Sequence, residues 1–237
     1  MNLPLNTSAN TSDPVAQARY NMIEQQIRPW NVLDADVLEL LAVVRREDFV
    51  PPAYSGMAFM DIEVPLLGND AEEAVRLGHS MLQPRVEARI LQDLQIKPTD
   101  RVLEIGAGSG YMAALLAHRA ARVVSLEINA ELAEMARENL RDAGIQNAEV
   151  RQADGARDTI ADGPFDVIVL SGSVAEVPSA LLSQLRYGGR LGAIVGNDPV
   201  MRFTLTRRTG DRFETTSPWD TIAPRLLHFP EPSGFTF

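Results

Sequence analysis

The chain has 237 residues, 45% hydrophobic and 23% charged, with a formal net charge of −10 and no cysteine. That length buries a sizeable core in one generous domain, with room for an extension. The missing cysteine excludes disulfides, zinc–thiolate sites and thiol nucleophiles, and the acidic balance argues against a nucleic-acid partner, whose phosphates need a basic surface.

Residues 1–14 read MNLPLNTSANTSDP. They lack the basic and apolar regions of a signal peptide and are expected to form a flexible tail. No apolar run approaches the roughly 18–20 residues of a membrane span, so a cytoplasmic protein with no membrane partner is expected. Helical spacing begins at residues 15–26, where Ala18, Met22 and Ile23 share a face. A second helix is predicted over 34–44, with Asp34 as its N-cap and Val37, Leu38, Leu40, Leu41 and Val44 buried. Residues 53–83 read as irregular. A third helix is predicted over Pro84–Leu94, with the proline in its first turn. Residues 15–99 thus form a helical and loop extension on the substrate side of the remaining domain, 100–237.

From Asp100 the pattern changes. Strands are predicted at 102–105, 122–126, 149–152, 165–170 and 190–195. Helices are predicted between them at Tyr111–Arg119, 130–143 and 175–185. Such alternation describes a mostly parallel sheet covered by helices. Residues 202–207, 213–217 and a final apolar strip read as antiparallel strands. The fold class is therefore α/β, a Rossmann-like sheet with an antiparallel C-terminal part and an N-terminal helical extension.

The first strand-to-helix turn of this sheet reads RVLEIGAGSGY, residues 101–111. Ligands of open α/β sheets bind outside the carboxyl ends of the strands, and glycines there allow tight turning and close backbone approach. Gly106, Gly108 and Gly110 are spaced G-x-G-x-G, which differs from both the dinucleotide fingerprint and the phosphate-binding P-loop. The turn therefore suits a nucleoside-like ligand without a pyrophosphate. Glu104 ends the buried strand, where an acid is costly unless paired; a cationic ligand or backbone donors would supply partners. Glu127 ends the second strand, 17 residues past Gly110, at a place suited to gripping ribose hydroxyls. Asp154-Gly155 follows the third strand, where an adenine amino group can be read.

Together these features resemble the class I S-adenosylmethionine-dependent methyltransferases. The resemblance implies that S-adenosyl-L-methionine is the cofactor and S-adenosyl-L-homocysteine the product. It places Glu104, Gly106, Gly108 and Gly110 beside the cofactor's amino acid part, Glu127 and Ile128 at the ribose, and Asp154 and Gly155 at the adenine. The upstream segments Phe49-Val50-Pro51, Ala58-Phe59-Met60-Asp61, Val64-Pro65-Leu66 and Gly78-His79-Ser80-Met81-Leu82-Gln83-Pro84 are similar to the protein-L-isoaspartate O-methyltransferase family. So is the approach to the glycine turn, ILQDLQIKPTDRV, and the loop Ser171–Pro178. That family methylates the carboxylate of isoaspartyl residues in damaged proteins. A carboxylate is already ionised at neutral pH, so no general base is implied, and none of the three histidines is required for catalysis. His118 and His228 read as surface or packing residues.

The substrate segment departs from the family's Gly-Gln-Thr-Ile-Ser-x-Pro. Ser80 stands at the threonine and keeps a hydroxyl, which implies substrate positioning; Leu82 stands at the serine and loses one. Gly78, His79, Leu82, Pro84 and Ser171 complete the implied substrate loop. Residues 67–76 are an insertion, and 219–225 match the family's Val-Pro-Leu element loosely. The acceptor implied is a carboxylate of protein or peptide. The alternatives are a small-molecule acceptor, for which His79 is the candidate base, or cofactor binding without methyl transfer. No metal is implied. A monomer or homodimer is expected.

Overall fold

The computed structural model describes residues 13–158 and 160–231. Residues 1–12 of the expected tail lie outside the described residues, as does the end of the final apolar strip. Asp13 caps the first helix and accepts from the Val15 N–H. That helix, α1 (Pro14–Asn21), continues as a π-helix over Met22–Ile27. Helix α2 spans Ala35–Val43, and Asp34 caps it as predicted, accepting from Asp36 and Val37 N–H groups. The next segment holds β1 (Val64–Pro65), α3 (Ala71–Arg76) and β2 (Ser80–Met81), followed by α4 (Pro84–Leu94). The sheet and its helices follow in order: β3 (Arg101–Ile105), α5 (Tyr111–Arg119), β4 (Arg122–Glu127), α6 (Ala130–Asp142), β5 (Ala148–Gln152), β6 (Phe165–Val174), α7 (Ser179–Leu182), β7 (Leu185–Asn197), β8 (Val200–Thr209) and β9 (Arg212–Asp220).

The seven strands lie in the order β5-β4-β3-β6-β7-β8-β9. Strands β3 to β7 pair in parallel, while β8 and β9 close the edge as antiparallel hairpins. The sheet is thus mostly parallel with an antiparallel C-terminal part, as expected. Because β3 sits between β4 and β6, the strand order reverses at its carboxyl end, which is where open α/β sheets hold ligands.

Side-chain alternation divides the core. Val102 joins the cluster that takes in α2, α4, α5 and α6, whereas Leu103 and Ile105 join the opposite face with Ile168, Leu170 and Phe229. Each fully buried Leu or Ile adds roughly 1.5–3 kcal/mol, so the crowded face dominates. Buried Arg190 ties the two regions together: it donates to the carbonyls of Leu94 and Gln95 and to Asp100 Oδ2 at 2.8 Å.

Three expectations are corrected. Residues 53–83 are not wholly irregular: Asp70 accepts from the N–H groups of Glu72 and Glu73 and starts α3 within the insertion, and β1 and β2 form a short ladder. The helix expected over 175–185 shrinks to α7, because the residue before Pro178 is steered away from helix and β7 already begins at Leu185. The apolar strip after β9 forms no strand among the described residues; it makes a single parallel bridge, Ser173 to Arg225.

Candidate active site

The glycine turn is a backbone device. Gly106, Gly108 and Gly110 have φ of 92°, 52° and 83°, all in the left-handed region. The turn is fastened to the tip of β4. Gly106 N–H donates to the Leu126 carbonyl at 2.8 Å. Glu127 accepts from Gly108 N–H at 2.9 Å and from Asn129 N–H at 3.0 Å, one on each carboxylate oxygen. Asn129 in turn caps α6, accepting from Glu131 and Leu132. A single carboxylate therefore sets the distance between the glycine turn and the start of α6.

Glu104 lies behind the turn, fully buried. Its carboxyl accepts from Ser125 Oγ at 2.6 Å and Ser171 Oγ at 2.8 Å. Burial pushes it up to about 7, against the two hydroxyl bonds. Ser125 escaped the sequence reading; its signal is register, since it faces Glu104 across the β3–β4 ladder. Asp154 follows β5. Its carboxylate accepts from Ala156 N–H at 3.0 Å and lies 2.6 Å from His228 Nδ1. Gly155 packs on β3: a Cβ there would sit 2.5 Å from Ile105 Cγ2.

These groups frame a cavity of about 300 Å³, lined by Gly106, Gly108, Glu127, Ile128, Asp154 and Gly155 on one side and by Gly78, His79, Ser80, Leu82 and Ser171 on the other. Glu104 faces a smaller space of about 20 Å³ behind it, shared with Ser80, Leu82, Tyr111 and Ser171. Two predicted residues line neither. Gly110 is the N-cap of α5, where a Cβ would approach the Ala136 carbonyl to 3.1 Å, and Pro84 is buried at the start of α4.

The acceptor side comes from several distant segments. The β1–β2 ladder, Val64 to Met81 and Pro65 to Ser80, carries residues 78–82 to the glycine turn. Ser80 Oγ is buried, and the half-buried Glu63 carboxyl interacts with it. Leu82 is buried, and its carbonyl accepts from Arg46 Nη2 at 2.7 Å. Arg46 is also paired with buried Glu87, whose carboxyl burial pushes up to about 7 against the Arg46 charge. His79 Nε2 lies 3.4 Å from Asn129 Nδ2 at the cavity wall.

The reading of the sequence missed the closing wall. Residues 223–229 run across the cavity mouth. Ser173 N–H donates to the Pro224 carbonyl at 2.7 Å, and Leu226 N–H to the Ser173 carbonyl at 2.9 Å. Leu226 Cδ2 comes within 3.0 Å of where a Gly106 Cβ would stand. His228, expected as a surface or packing residue, is exposed and also joins Asp154. Nothing in its apolar surroundings signals this, because the contact spans 74 residues. Among the described residues no cluster of His, Asp or Glu could hold a metal ion, and no helix is long and apolar enough to cross a membrane.

Glycine turn, three strand-tip acids and cavity together fit an adenosine-bearing cation: the acids supply hydroxyl and amine acceptors, and the missing Cβ atoms leave the backbone bare. Comparison with known proteins agrees. The chain is 37% identical over 198 residues to the protein-L-isoaspartate O-methyltransferase of Koribacter versatilis, covering 84% of this chain and 85% of that one. It is 37% identical over 219 residues to the enzyme of that name from Methylorubrum extorquens, covering 90% and 91%. The fold matches a crystal structure from Plasmodium falciparum, described as a protein-L-isoaspartate O-methyltransferase in complex with S-adenosyl-L-homocysteine, with a TM-score of 0.73 at 19% identity, covering 88% of this chain and 97% of that one. The model of the protein-L-isoaspartate(D-aspartate) O-methyltransferase family matches residues 17–221, and the chain belongs to that family.

Proposed function

We infer that the chain is an S-adenosyl-L-methionine-dependent methyltransferase whose acceptor is the side-chain carboxylate of an isoaspartyl residue in protein or peptide. The observation that carries this reading is the convergence of Glu127, Asp154 and the glycine turn in one cavity that opens onto residues 78–82, with Glu104 at the third strand tip in the smaller space behind it. Glu127 takes the ribose hydroxyls while keeping its hold on the turn. Asp154, Ile128 and Gly155 take the adenine. Buried Glu104 and the backbone of the glycine turn lie toward the amino acid part, where a carboxyl favours an ammonium group.

When bound, the cofactor supplies a methyl group already activated by its sulfonium charge. The acceptor carboxylate is ionised at neutral pH and needs no base. What remains for the protein is alignment and exclusion of water, and positioning of this kind can supply roughly 7–11 kcal/mol of a barrier. Leu82 and Leu226 dry the cavity wall, and Ser80 brings a buried hydroxyl to the acceptor side. Such methylation belongs to the repair of damaged protein, and we place it in the cytoplasm.

The test uses methyl-labelled cofactor with an isoaspartyl peptide and its aspartyl twin. Label on the isoaspartyl peptide alone is expected. Leu82, which lacks the family's hydroxyl, favours a second reading in which the acceptor is a different, small molecule. Saturable cofactor binding with label on neither peptide would overturn the isoaspartyl reading and leave the small-molecule acceptor or cofactor binding without methyl transfer.

A further inference from the structure

A second cavity of about 360 Å³ lies on the outer side of the substrate segment. Both tryptophans of the chain line it. The Arg85 guanidinium lies 4.0 Å from the Trp30 ring centroid, and that of Arg89 lies 5.1 Å from the Trp219 ring. Val200 and Ile222 on its rim are 65% and 50% exposed, and Trp30 is 46% exposed. A cluster of large apolar groups left in water around fixed cations is the composition of a binding surface.

Two further observations say what it would hold. The first is continuity. Gln83 lines this groove while its neighbour Leu82 lines the methyl-transfer cavity, and Thr221 and Ile222 line the groove while Pro224 and Arg225 line the cavity. One strand of substrate chain leaving the active site over these two segments enters the groove. The second is charge. Arg85 is paired with Asp61, and Asp220 with Arg202. Arg89 donates one hydrogen bond, to the Trp30 carbonyl at 3.0 Å, and has no carboxylate within 4.0 Å among the described residues. Its Nε and the Gln83 Oε1 are buried without partners. In a chain of net charge −10, a guanidinium that lies over the Trp219 ring, bonds the Trp30 backbone and has no carboxylate within 4.0 Å among the described residues is complementary to an acidic segment.

We propose that this groove binds the substrate polypeptide beside its isoaspartyl residue, seating an apolar or aromatic side chain against Trp30 and Trp219 and an acidic side chain on Arg89. The proposal rests on the reading of the acceptor as a polypeptide. It assigns the groove a role in selecting among damaged sites by their neighbours, since rim charges act chiefly on encounter and specificity.

The test pairs isoaspartyl peptides of about ten residues that carry Glu, Ala or Lys two to four positions from the isoaspartyl residue, on either side in turn. On one of the two sides, KM is expected to rise at least about tenfold from Glu to Lys, equivalent to about 1.4 kcal/mol, with kcat unchanged within about twofold. Arg89→Glu should invert that order, and Arg89→Lys should keep it. Equal KM for all three peptides on both sides would overturn the proposal, and this arm needs only the wild-type protein, so it stands even if Arg89→Glu fails to fold. Because both tryptophans lie in the groove, their fluorescence reports on it without catalysis. Saturable quenching by the Glu-bearing aspartyl twin, but not the Lys-bearing one, supports the groove even if no isoaspartyl peptide is methylated, an outcome that would sink the acceptor reading alone. Methylation with fluorescence indifferent to both twins would sink the groove alone. A dimer that Val200→Asp dissociates would reassign the groove to a second copy of the chain and overturn the proposal.

Discussion

The two sides of the methyl-transfer cavity are built differently. The cofactor side comes from one stretch of chain, Glu104 to Gly155, in which each strand ends on a turn and the first two turns each start a helix. Its fastenings are backbone bonds between neighbouring strands, with Glu127 joining Gly108 to Asn129. The acceptor side is gathered from residues 78–82, Ser171–Gly172 and 223–229, and is held by a two-residue ladder, one isolated bridge and a His228–Asp154 contact. A surface made from consecutive elements is rigid and tolerates little change. A surface assembled from distant segments depends on long-range contacts, among them Arg46 to the Leu82 carbonyl and Ser173 N–H to the Pro224 carbonyl, and it is where Leu82 departs from the family pattern.

The sharpest way to break this comparison is to crowd each side in turn. At Gly110 an added methyl meets Ala136 backbone at 3.1–3.2 Å with φ at 83°. Left-handed strain of roughly 1–2 kcal/mol and overpacking of roughly 1–3 kcal/mol add to about 3 kcal/mol for Gly110→Ala. That corresponds to a Tm lowered by on the order of 10 °C. Gly172, on the acceptor side, has no left-handed φ, and its added methyl meets the half-buried Leu226 side chain at 2.8 Å and the Pro224 carbonyl at 3.1 Å; a side chain that can turn aside relieves the closer contact, so Gly172→Ala should lower Tm by no more than about 4 °C. Equal shifts for the two variants would end the claim that the cofactor side is the rigid one.

Glu104 gives the next largest effect. Its carboxyl is raised from 4.5 to about 7, chiefly by burial, with Ser125 and Ser171 opposing. Between those values the folded chain holds a proton that the unfolded chain has released, so stability falls as pH rises through that window, by on the order of 3 kcal/mol at most from this group. Glu87 titrates in the same range for the same reason. Glu104→Gln should therefore flatten, not abolish, the decline in urea midpoint between pH 5 and pH 8. A slope identical to wild type would mean that Glu104 is ionised in the fold.

Glu127→Ala strips both N–H groups of their acceptor and, on the proposed assignment, the ribose of its own. The loss expected in cofactor affinity is roughly 1–3 kcal/mol, read by calorimetry. Unchanged affinity would place the ribose elsewhere.

How much of this was legible follows the same divide. The glycine turn could be read because three left-handed positions in five residues exclude most side chains, and α4 because Pro84 marks its first turn. Asp34 and the helix it caps were legible for the same local reason. The insertion helix α3 was not: at six residues it carries too little periodicity, although Asp70 and the two glutamates after it are a capping signal. The helix expected over 175–185 was cut to α7 because Val177 precedes Pro178 and β7 already begins at Leu185. The course of residues 223–229 was invisible, since its contacts to Ser173, Gly106 and Asp154 lie 50 or more residues away and leave no local pattern.

On the acceptor side, Leu82→Ser restores the hydroxyl that the family segment carries. If isoaspartyl peptides are the substrate and this wall has drifted, kcat/KM should rise by about tenfold, the worth of one well-placed hydrogen bond. Because Leu82 is buried, the same change removes packing, and a Tm measured alongside separates the two effects. A folded variant with no gain would argue that Ser80 alone supplies the polar contact.

The smallest expected effect tests the closing wall. His228 lies at φ 65°, and its Nδ1 meets Asp154, the acid assigned to adenine. At 41% exposure of its side chain this contact is well screened, and such partly exposed pairs are worth about 0.2–1 kcal/mol. His228→Ala frees Asp154 to accept from the cofactor but also loosens residues 223–229 over the cavity, so the two consequences oppose each other. Release of the carboxylate predicts tighter cofactor binding by up to about fivefold, and loosening of the wall predicts faster dissociation. Stopped-flow measurement distinguishes them: an increase in both association and dissociation rates, with affinity changed less than about threefold, identifies His228 as a latch on the wall. A fall in affinity of tenfold or more would instead make it part of the binding surface, and the acceptor side would then be as exacting as the cofactor side.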